Sequence, residues 1–118
     1  MTGQIKLVIE RHYDNATFLW LQRDDAFHNQ PHYDFEDLSE LEERLEANLD
    51  GLKIASDLGW EIADAGLEEP ESGEVFVAAW LAADSVDEEK LGRVIEAAGG
   101  DEINRRALVS ALVWQKDS

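Results

Sequence analysis

The chain has 118 residues, 44% hydrophobic and 31% charged, which suits one domain with a single modest core and not a disordered tail. Its formal net charge of −17 argues against nucleic acid and anionic membranes as partners and favours a basic protein. The absence of cysteine rules out disulfides, thiolate metal sites and cysteine nucleophiles.

The N-terminus MTGQIKLVIERHYDN lacks a basic start followed by a long apolar core, and no apolar run approaches a bilayer span, so a cytoplasmic location is expected. Ile5, Ile9, Tyr13, Ala16, Trp20 and Phe27 recur at spacings of three, four or seven. That period predicts a helix over about 5–27, while residues 4–9 (QIKLVI) also suit a short strand. The stretch HNQPHYDFED then breaks the pattern, because Pro31 lacks an amide hydrogen and turns Gln30 away from helical geometry. A new helix is expected behind a capping box at Asp37 and Glu40, or at Ser39 and Glu42. Its apolar stripe is Leu38, Leu41, Leu45, Leu49 and Leu52, and helical structure continues to about 67 with a kink or break expected near Gly51.

EEPESGE, residues 68–74, reads as an acidic turn. Beyond it EVFVAAWLAAD predicts an apolar helix over 74–84. SVDEEKLGRVIEAAGG predicts an antiparallel partner over 86–98, capped by Ser85 with Glu88 and ended by Gly99 and Gly100. DEINRRALVSALVW gives the last helix. Shifting 74–83 forward by 28 aligns Glu74 with Glu102, Val75 with Ile103, Ala79 with Ala107, Ala82 with Ser110 and Ala83 with Ala111. A period near thirty, with small residues where helices approach closely, signals a helical-hairpin solenoid. The expected fold is therefore all-α, with helical hairpins leading into HEAT-like repeats. One helical domain spans 1–118: N-terminal helices over 5–67, then a HEAT-like unit and the start of a second over 73–116. ALVSALVW presents apolar residues with no partner helix after them, so the chain reads as the N-terminal part of a longer array or as one whose last helix is covered elsewhere.

FLWLQRDDAF, QPHYDFEDLSELEERLEANLDGLKIASDLGWEIADAGLE and GEVFVAAWLAAD together resemble the N-terminal region of an uncharacterised bacterial family of HEAT-repeat-type proteins, commonly encoded in or beside type VI secretion gene clusters. The resemblance spans about residues 5–115. It is most specific in PHYDF-x-DL, L-x-ER-L-x-A-x-LDGL and GWE. Members run several repeats further than this chain. The resemblance implies a scaffold role with no established activity.

The residues that most suggest chemistry are His28, His32 and Asp34. Two histidines four apart align on one helix face for zinc, but here Pro31 lies between them and no H-E-x-x-H glutamate is present. A helix-to-helix corner is expected there, with Phe27, Tyr33 and Phe35 as apolar pins and no metal. Glu36, Asp37, Glu40, Glu42, Glu43, Glu46 and Asp50 interleave with the leucine stripe and fall on a solvated face, continued by acids through Glu74. Arg23 and the Arg105–Arg106 pair are expected to meet these acids as ion pairs. The four tryptophans belong to core patterns, and any left exposed becomes a candidate anchor for a partner. No nucleophile motif, phosphate loop or calcium loop appears, so the chain is expected to be no enzyme and to hold no cofactor.

The expected function is a protein–protein interaction scaffold or adaptor, with type VI secretion as the context that the resemblance implies. The alternative is an acidic immunity-type inhibitor that masks a basic toxin or effector. Glu42, Glu43 and Glu46 are the candidates for attracting a basic partner. Leu112 and Trp114 are the candidates for apolar docking or self-association.

Overall fold

The apolar stripe of the first thirty residues forms a 28-residue helix, α1 (Thr2–Asn29), in the computed structural model, which describes residues 2–29 and 34–117. Residues 4–9 belong to this helix and not to a strand. Only from Ile9 onward does the stripe meet the core: Ala16, Leu19 and Trp20 are buried, whereas Ile5, Leu7 and Val8 are more than half exposed. The chain is all-α, with α2 (Phe35–Ile54), α3 (Asp57–Ala65), α4 (Ser72–Asp84), α5 (Glu88–Ala98) and α6 (Glu102–Asp117) following in order among the described residues. No helix is long and apolar enough to cross a membrane among them.

Helix α2 starts earlier than its capping boxes suggest. Asp34 is the N-cap: its Oδ1 accepts from the Glu36 amide at 3.0 Å, and its carbonyl accepts from Leu38 at 3.0 Å. Asp37 and Ser39 therefore lie inside the helix. A carboxylate one residue ahead of Phe35 serves the free amides directly and also sits well against the positive end of the helix dipole. Leu41, Leu45, Leu49 and Leu52 are buried, as the stripe requires, each contributing about 1.5–3 kcal/mol of burial. Their partner is α1, which runs antiparallel: His12 Nδ1 lies 2.9 Å from Asn48 Oδ1, and Arg23 Nε donates to Glu42 Oε1 at 3.0 Å.

The break in this region falls at Ala55–Ser56, not at Gly51. Gly51 stays helical and lets His12 pack against it, with Cδ2 2.7 Å from where a Cβ would stand. The chain turns instead at Ser56, which takes φ 55°, and α3 then returns so closely that Gly59 rests on the Leu52 carbonyl. A non-glycine residue at such a φ costs about 1–2 kcal/mol, and the packing of α3 offsets it.

Helix α4 is apolar all round, so it can only be central. Val75 through Ala82 are buried without interruption, and α4 packs against every other helix. Its start is fixed by Glu71, whose amide donates to Glu74 Oε2 at 2.8 Å. Helix α5 is capped not by Ser85 but by Asp87, whose Oδ1 accepts from Glu89 and Lys90 at 3.0 and 3.1 Å. Ser85 closes α4 instead, its hydroxyl donating to Ala82 O at 3.1 Å. The difference arises at Val86, which takes φ 52° and delays the new helix. Gly99, at φ 56°, ends α5.

Helix α6 runs alongside α4 in the same direction. Asn104 Nδ2 donates to Pro70 O at 3.4 Å near its start, and Gln115 Nε2 to Trp80 O at 3.1 Å near its end. The side-by-side register is thus 34–35 residues, not the 28 of the internal match. Ala107 and Ala111, both fully buried, let the two helices lie close.

Candidate functional site

Helix α6 also flanks α1, but at a distance. Their backbones make no close approach, and side chains alone span the gap. Trp20 Nε1 donates to Ser110 Oγ at 3.4 Å, and Arg106 Nη2 pairs with Asp24 Oδ2 at 2.6 Å. These pairs set the α6 turns at Ser110 and Arg106 beside the α1 turns at Trp20 and Asp24. The gap opens outward as a cleft of about 490 Å³ between α2 and α6, with α1 at its base. Ser39, Glu42, Glu43 and Glu46 form the α2 wall; Ser110, Val113 and Trp114 form the α6 wall; Arg23 lies between them.

The sequence candidates divide on this frame. Glu42, Glu43, Glu46 and Trp114, far apart in the chain, line the same cleft. Leu112 does not: it is 39% exposed on the outer side of α6, beside Val109 and Val113 at 57% and 54%. The carboxylates are not equivalent either. Glu43 and Glu46 point to solvent with the rest of the α2 acids, whereas Glu42 is half-buried and held by Arg23. The ion pair expected of Arg23 is present, and Arg23 has a second role that sequence did not suggest. Its guanidinium lies 4.9 Å from the Trp114 ring centroid, so one cation bridges the acidic and aromatic walls.

Trp114 owes its position to the core below. Phe76 stacks on Trp20 at 5.3 Å between centroids and meets Trp114 edge-on at 6.0 Å. Trp20 and Trp80 are buried as expected, while Trp60 and Trp114 keep part of their surface exposed. Trp60 is covered by Lys90, 5.3 Å from its ring centroid. Trp114 is therefore the tryptophan that combines a rigid seat with an open cleft, the setting in which aromatic anchors bind strongly.

Of the expected corner between α1 and α2, His28 and Asp34 are among the described residues. His28 Nδ1 lies 2.9 Å from Asp24 O and 3.3 Å from Asp24 Oδ1, and Asp34 is occupied as the α2 cap. His32 and Tyr33, with the side chains of Phe27 and Phe35, lie outside the described residues. Among the described residues no three histidine, aspartate or glutamate side chains are grouped to hold a metal.

One further polar group stands out. The Tyr13 hydroxyl is buried and has no hydrogen-bond partner among the described residues. Burial, with the nearby Glu74 and Asp14 charges, pushes its ionisation well above the usual phenol range. Such a phenol stays protonated at neutral pH, and Gly66 is packed so tightly on its oxygen that a methyl group there would collide. Comparison of the chain with protein-family models, curated proteins and solved structures finds no match.

Proposed function

We propose that this chain is a non-catalytic protein-interaction module, a scaffold or adaptor whose α2–α6 cleft receives a basic amphipathic segment of a partner protein. One observation carries the proposal: a solvated acidic wall, Glu43 and Glu46, faces an apolar wall, Val113 and Trp114, across one open cleft. Glu43 and Glu46 lie about one helical turn apart, or roughly 5 Å along α2. A partner helix with Lys or Arg at positions i and i+4 matches that spacing, and leucines on its neighbouring face reach Val113 and Trp114. The two walls then have separate effects. The acids steer the approach and raise the on-rate, and the aromatic wall slows dissociation.

The wider setting is proposed on sequence grounds: a cytoplasmic accessory of bacterial type VI secretion, built as the first hairpins of a HEAT-like array. The succession of α4, α5 and α6, with α6 parallel to α4, supports the array. Against it stands the central place of α4, which in a solenoid would touch neighbouring repeats alone. The second function is an immunity-type inhibitor of a basic toxin or effector. It draws support from the exposed acids Glu36, Asp37, Glu40, Glu43, Glu46 and Asp50 along α2, which reach well beyond the cleft.

A helical peptide library displayed against the protein tests the cleft. Selected peptides should carry Lys or Arg at i,i+4 beside leucines. Glu43→Lys with Glu46→Lys should cut their on-rate and flatten its salt dependence, leaving the Arg23–Glu42 pair intact. Trp114→Ala should raise the off-rate at every salt concentration. Enrichment of acidic peptides, or binding indifferent to both variants, refutes the adaptor cleft. Loss of binding to charge changes all along α2, with none at Trp114, favours the inhibitor.

A further inference from the structure

Helix α5 lies on α4 between α3 and α6, and the two sides differ. Among the described residues its backbone comes close to α4 and α6 alone. Val94 and Ala98 are buried and Leu91 and Ala97 partly so, while Gly92 and Ile95 face water. Toward α3 no backbone approaches, and two cations of α5 reach across instead. Arg93 Nε donates to Asp64 Oδ1 at 3.1 Å and its Nη2 lies 3.7 Å from Glu68 Oε1, while Lys90 lies over the Trp60 ring. All five side chains reach water, and exposed pairs of this kind hold weakly.

The ends and the middle of α5 favour its release. At its start the exposed Val86 is held at φ 52°, a backbone region that a β-branched residue resists. That strain exists only while α5 is docked, so undocking relieves it. At its end come Gly99, at φ 56°, and Gly100, the residue type that accepts a change of chain direction most easily. In the middle, Gly92 has nothing within 4 Å of where a Cβ would stand, so packing does not require a glycine there, and it weakens the helix relative to alanine. Its neighbours are seated more tightly. In α3, Gly59 rests on the Leu52 carbonyl, and Gly66 just beyond it rests on Tyr13; α6 is held through Ala107, Ala111 and the contact of Trp114 with Phe76.

We infer that α5 is a hinged flap, which leaves α4 as one unit about Val86 and Gly99–Gly100 while α1, α2 and α4 stay folded. Arg93 is its latch. Opening bares the α4 surface between α3 and α6 and lifts Lys90 from Trp60. Because α5 approaches neither α1 nor α2, the flap is independent of the adaptor function proposed above.

Hydrogen exchange followed by NMR at single amides of the full chain tests this, since exchange reports the population of the open form when closing is fast. Amides from Leu91 to Ala98 should exchange at one common rate, at least about tenfold faster than the buried turns of α2 and α4. Arg93→Ala should speed exchange across α5 by about five-fold, the scale of two exposed ion pairs. Arg44→Ala, which removes an exposed arginine from α2, should leave α5 unchanged. Val86→Gly should slow α5 exchange by up to about five-fold, because the docked state loses its strain. Protection of α5 equal to that of α2, rates graded from the helix ends as in fraying, α5 rates unmoved by Arg93→Ala or moved equally by Arg44→Ala, or faster exchange in Val86→Gly would each overturn the inference.

Discussion

Replacing Phe76 by leucine tests whether the core holds the cleft in shape. Phe76 is fully buried and touches two indoles, stacked on Trp20 and edge-on to Trp114. Leucine keeps most of the apolar volume but loses both ring contacts, each worth about 0.5–1.5 kcal/mol beyond burial. The expected loss is therefore about 1–3 kcal/mol, a large share of the roughly 5–15 kcal/mol that holds such a domain together. In urea, with a slope of about 1–2 kcal/mol/M, the midpoint should fall by about 1 M. Unfolding followed by circular dichroism measures this without relying on the tryptophans being altered. A double-mutant cycle with Trp114→Leu isolates the edge-on contact, and a coupling of about 0.5 kcal/mol or more is expected. A midpoint shift below about 0.3 M with no coupling would show that Trp114 is not seated by Phe76.

Three further outcomes follow from the caps, the strained turn and the buried phenol. Asp87→Ala should cost about 1 kcal/mol in urea unfolding because two α5 amides lose their acceptor, whereas Ser85→Ala should cost clearly less. Val86→Gly should stabilise by up to about 1 kcal/mol, since the exposed Val86 takes φ 52° and glycine adopts that φ freely; a loss of stability would refute the strain. Tyr13→Phe should change stability at pH 7 by less than about 1 kcal/mol, because its hydroxyl gives up no hydrogen bond among the described residues. The raised ionisation of Tyr13 also fixes a sign. Its contribution is intact below the ordinary phenol range near pH 10 and is lost as pH rises above it, since the unfolded chain ionises first. Equilibrium unfolding between pH 9 and 11 should therefore show a shallower decline for Tyr13→Phe than for wild type, by up to about 1 kcal/mol once solvent screening of the part-exposed ring is counted.

Much of the helical plan was legible because it is written locally. The leucine stripe of α2, the all-apolar α4 and the Gly99 stop each state their environment within a few residues. Cap positions were less legible, because several residues qualified and the choice depended on backbone dihedrals. Asp34 prevailed over Asp37 by standing next to Phe35, and Asp87 over Ser85 because Val86 turns with positive φ. Gly51 looked like a break and was instead a seat for His12, a role that only the approach of α1 reveals. The cleft was legible in its parts alone. Its acids and Trp114 could be picked out by type, but their meeting depends on contacts spanning most of the chain. Arg23 was visible as an ion-pair partner, while its position over Trp114 had no local signal.

The cleft exists because two spacings differ. Ala107 and Ala111 bring α6 tightly onto α4, and Gly73 does the same for α1, its absent side chain leaving room for the Thr17 carbonyl. Both helices thus sit on α4, yet Trp20 and Phe76 fill the wedge between them, so α1 and α6 stay a side chain apart. Large residues at the wedge and small ones at the seats are what leave an opening at the surface. Arg23 then crosses that opening, held by Glu42 on one wall and Trp114 on the other. An incoming cation meets Glu43 and Glu46 beside this internal one, not in place of it, so the acids remain free to attract while the cleft keeps its width.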